Sequence, residues 1–246
     1  MPASSSIILS TAHSSLEATP SVGGVPLTLR VHPRARRLKL RFDDRKGGLL
    51  LTIPPRTSRR AALAWAAEQE RWVRGQLARQ PAPRPLDPGA TIPLEGEEVR
   101  LEWIEDASRT VVRAPGSLSC GGPRESFSTR IEVWLKRHAR DTLSAETAAI
   151  AAVAGVTVRG VSIGDADSRW GSCSASGAIR YSWRLILAPP AVRRYVVAHE
   201  VAHRLHMDHG PRFKAAEARL FGGSVAPHRL LLRRLSPVLR RVGRGS

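Results

Sequence analysis

The chain has 246 residues, 42% hydrophobic and 24% charged, enough for one sizeable core or two modest domains. No stretch approaches the roughly 18 consecutive apolar residues of a membrane-spanning helix, so integral membrane association is not expected. Cys120 and Cys173 are too few and too far apart for a disulfide framework, and a reducing cytoplasm is the expected compartment. With 39 basic residues against 21 acidic, the formal charge is +18. Such a surface attracts anionic partners, nucleic acid among them. However, every basic residue except Lys39, Lys46, Lys136 and Lys214 is arginine, a bias that genome composition also explains, and no aromatic-interleaved basic patch accompanies it.

Residues 1–24 contain only a short apolar run, Ile7 to Leu9, without a basic lead-in; they are expected to be a disordered tail rather than a signal peptide. The segments "PLTLRVH", "RRLKLRF" and "GLLLTIP" predict strands, separated by turn residues at Asp43, Asp44, Gly47 and Gly48. Ser58 is placed to cap one long helix whose apolar side includes Leu63, Trp72 and Leu77. "PAPRPLDPG" is linker-like, and "TIPL", "VRLEW" and "TVVR" are short strand candidates. The Gly- and Ser-containing stretch 115–128 is the expected boundary between the halves. Residues 25–114 thereby form a β-rich subdomain with one long helix.

The second half, 129–222, opens with a helical run ending in "AAVAG". "TVRGVSI" then predicts a strand, and "RWGSCSASGAIRYSWRLILAP" a hairpin turning near Ser176-Gly177. Pro189 and Pro190 introduce the helix that carries His199. Gly210-Pro211 breaks the chain before a last helix through Phe213, Ala216 and Leu220. The basic amphipathic tail 223–246 is expected to be a helix packed on its own domain.

"YVVAHEVAHRLHMDHGPRF" concentrates the chemistry. His199 and His203, four residues apart, leave the same helix face about 6 Å apart along the axis. Two imidazoles so placed supply two zinc ligands, with room for a water at an open position. Glu200 between them is positioned to take that water's proton, which is the logic of H-E-x-x-H. Val196, Val197, Val201 and Ala202 make the helix apolar enough to be buried. Both His206 and His209 are near enough to complete the site. His206 is about 10 Å along a straight helix from His199, whereas the break at Gly210-Pro211 lets His209 turn back.

The segment "RWGSCSASGAIRYSWRLILAPPAVRRYVVAHEVAHRLHMDHGPRF" resembles the central part of the YgjP-like metallopeptidase family, zinc-dependent peptidases related to SprT-like and Wss-type proteins. The likeness extends from about residue 25 to 222 and includes "RARRLKLRFDDRKGGLLLTIPP" and "WAAEQERWVRGQL". It is carried by Arg169-Trp170-Gly171-Ser172-Cys173, Trp183-Arg184-Leu185, the H-E-x-x-H and His209. The resemblance implies an α+β fold in which an N-terminal β-rich subdomain precedes a zincin-like domain with an active-site helix and a preceding β-hairpin. It also implies that His199, His203 and His209 hold Zn2+, that Glu200 is the catalytic base, and that the substrate is a peptide or protein. Three positions depart from the family pattern: Asp208 replaces an asparagine, Arg204 a hydrophobic residue, and Lys214 follows Phe213 where an aromatic pair is usual.

Zinc peptidases often bind substrate as an added strand, and Ala178 to Leu187 is the expected edge. Trp170 and Trp183 are expected to be core residues more than surface ones. Cys173 as a further ligand or nucleophile is the lesser expectation, since buried cysteine is common. Arg169 and Arg184 suit either substrate carbonyl binding or ordinary ion pairs. Tyr195, one turn before His199, is placed to help orient an oxyanion but is not expected to be catalytic. The alternative to an enzyme is a zinc-supported protein- or nucleic-acid-binding module with little or no peptidase activity.

Overall fold

The structure, a computed structural model, describes residues 19–43, 48–79, 81–165 and 169–244. Most of the expected tail, and the turn at 44–47, lie outside the described residues. The chain divides into two compact units, Met1–Arg79 and Gln80–Ser246.

The first unit is a four-stranded sheet with two helices. Its strands are β1 (Ser21–Val22), β2 (Val25–Val31), β3 (Lys39–Asp43) and β4 (Gly48–Ile53), in the order β1-β2-β4-β3. The run "GLLLTI" becomes the inner strand β4, parallel to β2 and antiparallel to β3, as an apolar run without alternation requires. Ser58 caps α1 (Arg59–Glu68), its Oγ accepting from the Ala61 N–H at 3.1 Å. A single turn at Gln69 separates α1 from α2 (Glu70–Arg79), so the expected long helix is two short ones. Of the expected apolar side, Leu63 packs against the core, but the other two residues do not. Ala62, Ala66 and Val73 pack with Leu27, Leu49, Leu51 and Ile53, whereas Trp72 and Leu77 are exposed. Small side chains let the helix lie close to the sheet.

The second unit begins in the Pro-rich segment 81–89. Strands β5 (Thr91–Leu94), β6 (Glu97–Trp103), β7 (Val112–Ala114) and β8 (Ser117–Cys120) form a sheet in the order β5-β6-β8-β7. The expected division at 115–128 is thus displaced. That stretch carries β8, and its Leu118 and Cys120 are buried in the same core as the helices that follow. The linker signal that coincides with the division is "PAPRPLDPG".

Helix α3 (Phe127–Ala154) buries Phe127, Ile131, Leu135, Ala139, Leu143, Thr147 and Ile150 at near four-residue spacing, the stripe of an amphipathic core helix. Gly155, at φ +66°, ends it in the left-handed conformation. A three-stranded sheet follows, of β9 (Gly160–Gly164), β10 (Gly171–Cys173) and β11 (Ala178–Ser182), in the order β10-β11-β9. A fully buried 3₁₀ turn at Trp183–Leu187 leads into α4 (Pro190–Ala202). Helices α5 (Pro211–Phe221) and α6 (Ala226–Leu239) complete the unit, and Leu232, Leu239 and Val242 join its core. The basic tail is therefore packed against its own unit. Among the described residues, no helix is long and apolar enough to cross a membrane.

Candidate metal centre

Helix α4 is buried on most sides, with Val192, Val196, Val197, Ala198, Val201 and Ala202 in the core. Its polar exceptions are therefore positioned by packing. Pro190 in the first turn needs no hydrogen-bond partner for its nitrogen. Arg193 is buried too, and its guanidinium pairs with Glu146 of α3 at 2.8 Å and with Glu95 of the β5–β6 turn at 3.2 Å. Arg113 adds a 2.8 Å contact to the same Glu95. These pairs tie α4 to α3 and to the β5–β8 sheet.

The helix stops at Ala202, and His203 occupies its cap. The chain therefore leaves the helix earlier than the Gly210-Pro211 break, through tight turns in which the N–H groups of Leu205 and His206 both donate to the Ala202 carbonyl. Asp208 accepts from the Gly210 N–H at 3.1 Å, a local turn that an asparagine would also make. His209 returns to the helix as a result. His199, His203 and His209 each present one ligating nitrogen, and these three atoms lie within 4.8 Å of one another.

The second nitrogens of the two helix-borne imidazoles are already engaged. His199 Nδ1 donates to Glu217 Oε1 at 2.8 Å, and His203 Nδ1 donates to the His206 carbonyl at 3.3 Å. Such bonds fix the tautomer that leaves Nε2 with its lone pair. His209 Nε2 stands 3.4 Å from His199 Nε2. Tetrahedral zinc with Zn–N bonds of about 2.0–2.1 Å separates its nitrogen donors by roughly 3.4 Å. Burial, with His199 beside it, lowers the His203 pKa, favouring the neutral form that a metal binds. The donor set fits zinc. Beneath the three rings, buried Phe213 lies with its centroid 5.0, 4.6 and 4.7 Å from those of His199, His203 and His209, so none can swing inward.

Glu217 was not a sequence candidate. It lies on α5 among Phe213, Ala216 and Leu220 and is itself buried. An acid on the apolar face of an amphipathic helix is the signal that was available. His206 contributes its carbonyl and stands outside the three-histidine group.

Glu200 is 5% exposed, and burial pushes its pKa up to about 7, against the opposing influence of His199 and Arg169. Its carboxylate lies against Gly171 of β10, where a β-carbon would stand 2.5 Å from Oε1. The expected edge strand requires correction here. Segment 178–187 is not an edge: β11 is the middle strand, paired parallel to β9 on one side and antiparallel to β10 on the other, and residues from 183 onward form the 3₁₀ turn. The open edge beside Glu200 is β10. Ser182 N–H donates to the Trp170 carbonyl and Ser174 N–H to the Ala178 carbonyl, both at 2.9 Å. By antiparallel alternation, the main-chain groups of Gly171 and Cys173 point away from β11.

The remaining candidates have structural places. Trp183 is fully buried, with Arg184 stacked over it at 4.4 Å. Arg184 pairs with Asp165 and donates to the Val242 carbonyl, so its buried guanidinium is held by a half-buried carboxylate and the main chain. Cys173 is not among the clustered ligands, and burial pushes its thiol pKa up, the opposite of an activated nucleophile. Arg204 explains its own departure: it donates to the carbonyls of Thr157 and Ala175 at 3.3 and 3.2 Å and fastens the hairpin turn to the end of α4. Tyr195 is buried edge-on to His199, with ring centroids 6.2 Å apart. Burial also raises its pKa.

A mixed α/β domain with a buried helix, three converging imidazoles and a carboxylate beside them has the make-up of a metallopeptidase of zincin-like design. The chain belongs to the YgjP-like, metallopeptidase domain family, which it matches over residues 36–233. No curated protein and no solved structure matches it.

Proposed function

We propose that the chain is a zinc-dependent peptidase in which His199, His203 and His209 hold the metal and Glu200 is the general base. The observation that carries this reading is the placement of Glu200, a buried carboxylate next to the imidazole cluster and against an open strand edge. A bound zinc ion supplies Lewis acidity and brings a water's pKa towards neutrality.

The chain's own residues do the rest. A peptide lying along β10 accepts from and donates to the main-chain groups of Gly171 and Cys173, which sets its carbonyl beside the histidines. Glu200 takes a proton from the attacking water as the water oxygen bonds to the carbonyl carbon. It returns that proton to the amide nitrogen as the C–N bond breaks. A carboxylate whose basicity burial has raised is suited to both transfers near neutral pH. Glu217, through His199 Nδ1, holds the first imidazole in orientation.

The test is Glu200→Gln in the full chain. Zinc content should be retained while peptide hydrolysis falls by about 10²–10⁴-fold. Undiminished hydrolysis, with contaminating protease excluded, would end the base assignment. A folded wild-type chain without stoichiometric zinc after growth in zinc-replete cells would end the metal reading.

A further inference from the structure

Beside the histidines lies a cleft of about 190 Å³, with His199 and Glu200 at one end. Its walls are Trp170, Tyr195, Val196 and Leu232. Small-molecule sites usually enclose about 300–1,000 Å³, so this space suits a single side chain better than a whole ligand. Apart from the two residues at the metal end, no charged side chain lines it.

The wall is built from far along the sequence. Trp170 Nε1 donates to Ser236 Oγ at 3.0 Å, and Ser236 in turn donates to the Leu232 carbonyl at 2.6 Å. The guanidinium of Arg240 covers a face of the same indole, 4.8 Å from the ring centroid. Helix α6 therefore provides one wall, Leu232, and pins the other, Trp170. Ser236 and Arg240 lie past the end of the segment that matches the family. A tryptophan whose N–H is satisfied and whose ring is held on one side presents a fixed apolar surface.

We propose that this cleft is the side-chain subsite of the peptidase, and that it selects substrates with a compact apolar residue, of the leucine, isoleucine or methionine kind, next to the bond that is cut. This rests on the reading of the chain as a zinc peptidase. The chemistry excludes the other classes. An aspartate or glutamate would bury its charge among apolar walls, and so would a lysine or arginine, the cations in addition close to the Arg240 guanidinium behind Trp170. Glycine leaves it unfilled.

The decisive measurement is binding, made on the zinc-loaded full chain carrying Glu200→Gln, so that no peptide is consumed. A labelled peptide series varying one position among Leu, Met, Ala, Phe, Asp and Lys is titrated by fluorescence anisotropy. The Leu and Met peptides should bind at least about tenfold more tightly than the Asp and Lys peptides. Adding Leu232→Ala should move the preference towards Phe. Ser236→Ala, which frees the indole without opening the core, should reduce discrimination while leaving zinc content unchanged. Equal affinity across the series, no binding at all, or a preference that both variants leave intact would overturn the subsite. Cleavage by the wild-type chain is scored separately on the same peptides. Selective binding without cleavage supports the subsite and removes the peptidase reading, whereas cleavage without the Leu232-dependent preference does the reverse.

Discussion

Gly171 and Glu200 touch where a side chain on the strand would meet the carboxylate: a β-carbon on Gly171 would lie 2.5 Å from Glu200 Oε1, 2.7 Å from Cγ and 2.8 Å from Cδ. The strand edge that would receive a peptide and the carboxylate that would move its proton are thus in direct contact. Gly171→Ala should push the carboxylate aside by about an ångström and reduce hydrolysis roughly 10²-fold. Zinc stoichiometry should be unchanged, since the displaced side chain is Glu200, which is not one of the three clustered histidines. Steady-state kinetics with metal analysis checks both halves; full activity would show that the position of Glu200 is not critical.

Glu217 is buried and bonded to His199 Nδ1 at 2.8 Å. Removing the partner of a ligating histidine typically costs about 10–100-fold in metal affinity. Glu217→Ala should show that loss in a competition titration against a zinc chelator. Glu217→Gln, which can still accept the Nδ1–H bond, should lose less. Equal affinities in the two variants would mean that the hydrogen bond does not orient the ring.

The third ligand can be decided by a pair of substitutions. His209→Ala should sharply weaken zinc binding, because its imidazole stands in the cluster. His206→Ala should retain zinc and activity, because only its main-chain carbonyl reaches His203. The reverse result would move the ligand assignment to His206.

The metal-free chain should show a pH dependence traceable to one carboxyl group. With a folded pKa of about 7 against an ordinary 4.5, Glu200 stays protonated in the fold while it ionises in the unfolded chain. Its contribution is therefore most favourable below about pH 4.5 and is lost as pH rises towards 7, by about 3 kcal/mol. Urea titrations of the zinc-free wild type and Glu200→Gln across that window should diverge, with the wild type falling relative to the variant as pH increases. Parallel curves would place the carboxylate in a more hydrated setting.

Spacing within one helix was legible, since His199 and His203 need only the 3.6-residue period to share a face, with Glu200 one position on. His209 was legible from its Gly-Pro neighbours, although the helix ends at Ala202, well before them. Pairing between distant strands was not. Ile179 and Tyr181 are buried, as suits a middle strand, but nothing local to residues 178–187 reveals that β9 lies beside them. The α1–α2 stripe misled because Trp72 is larger and more apolar than Ala62 or Ala66, and size favoured the wrong side. Glu217 was missed because its partner is eighteen residues away on another helix, and the dividing point because Gly and Ser at 115–128 mark turns around a core strand rather than a linker.

The three imidazoles all fall between positions 199 and 209, joined by a short excursion of chain. Closing so small a loop is entropically cheap even without the surrounding helices. A denatured chain therefore keeps a usable chelating segment, so zinc, on the proposed reading of the site, would bind both sides of the unfolding equilibrium. The ion should raise the melting temperature by less than its affinity for the native fold implies, and refolding from denaturant can begin with the metal already held.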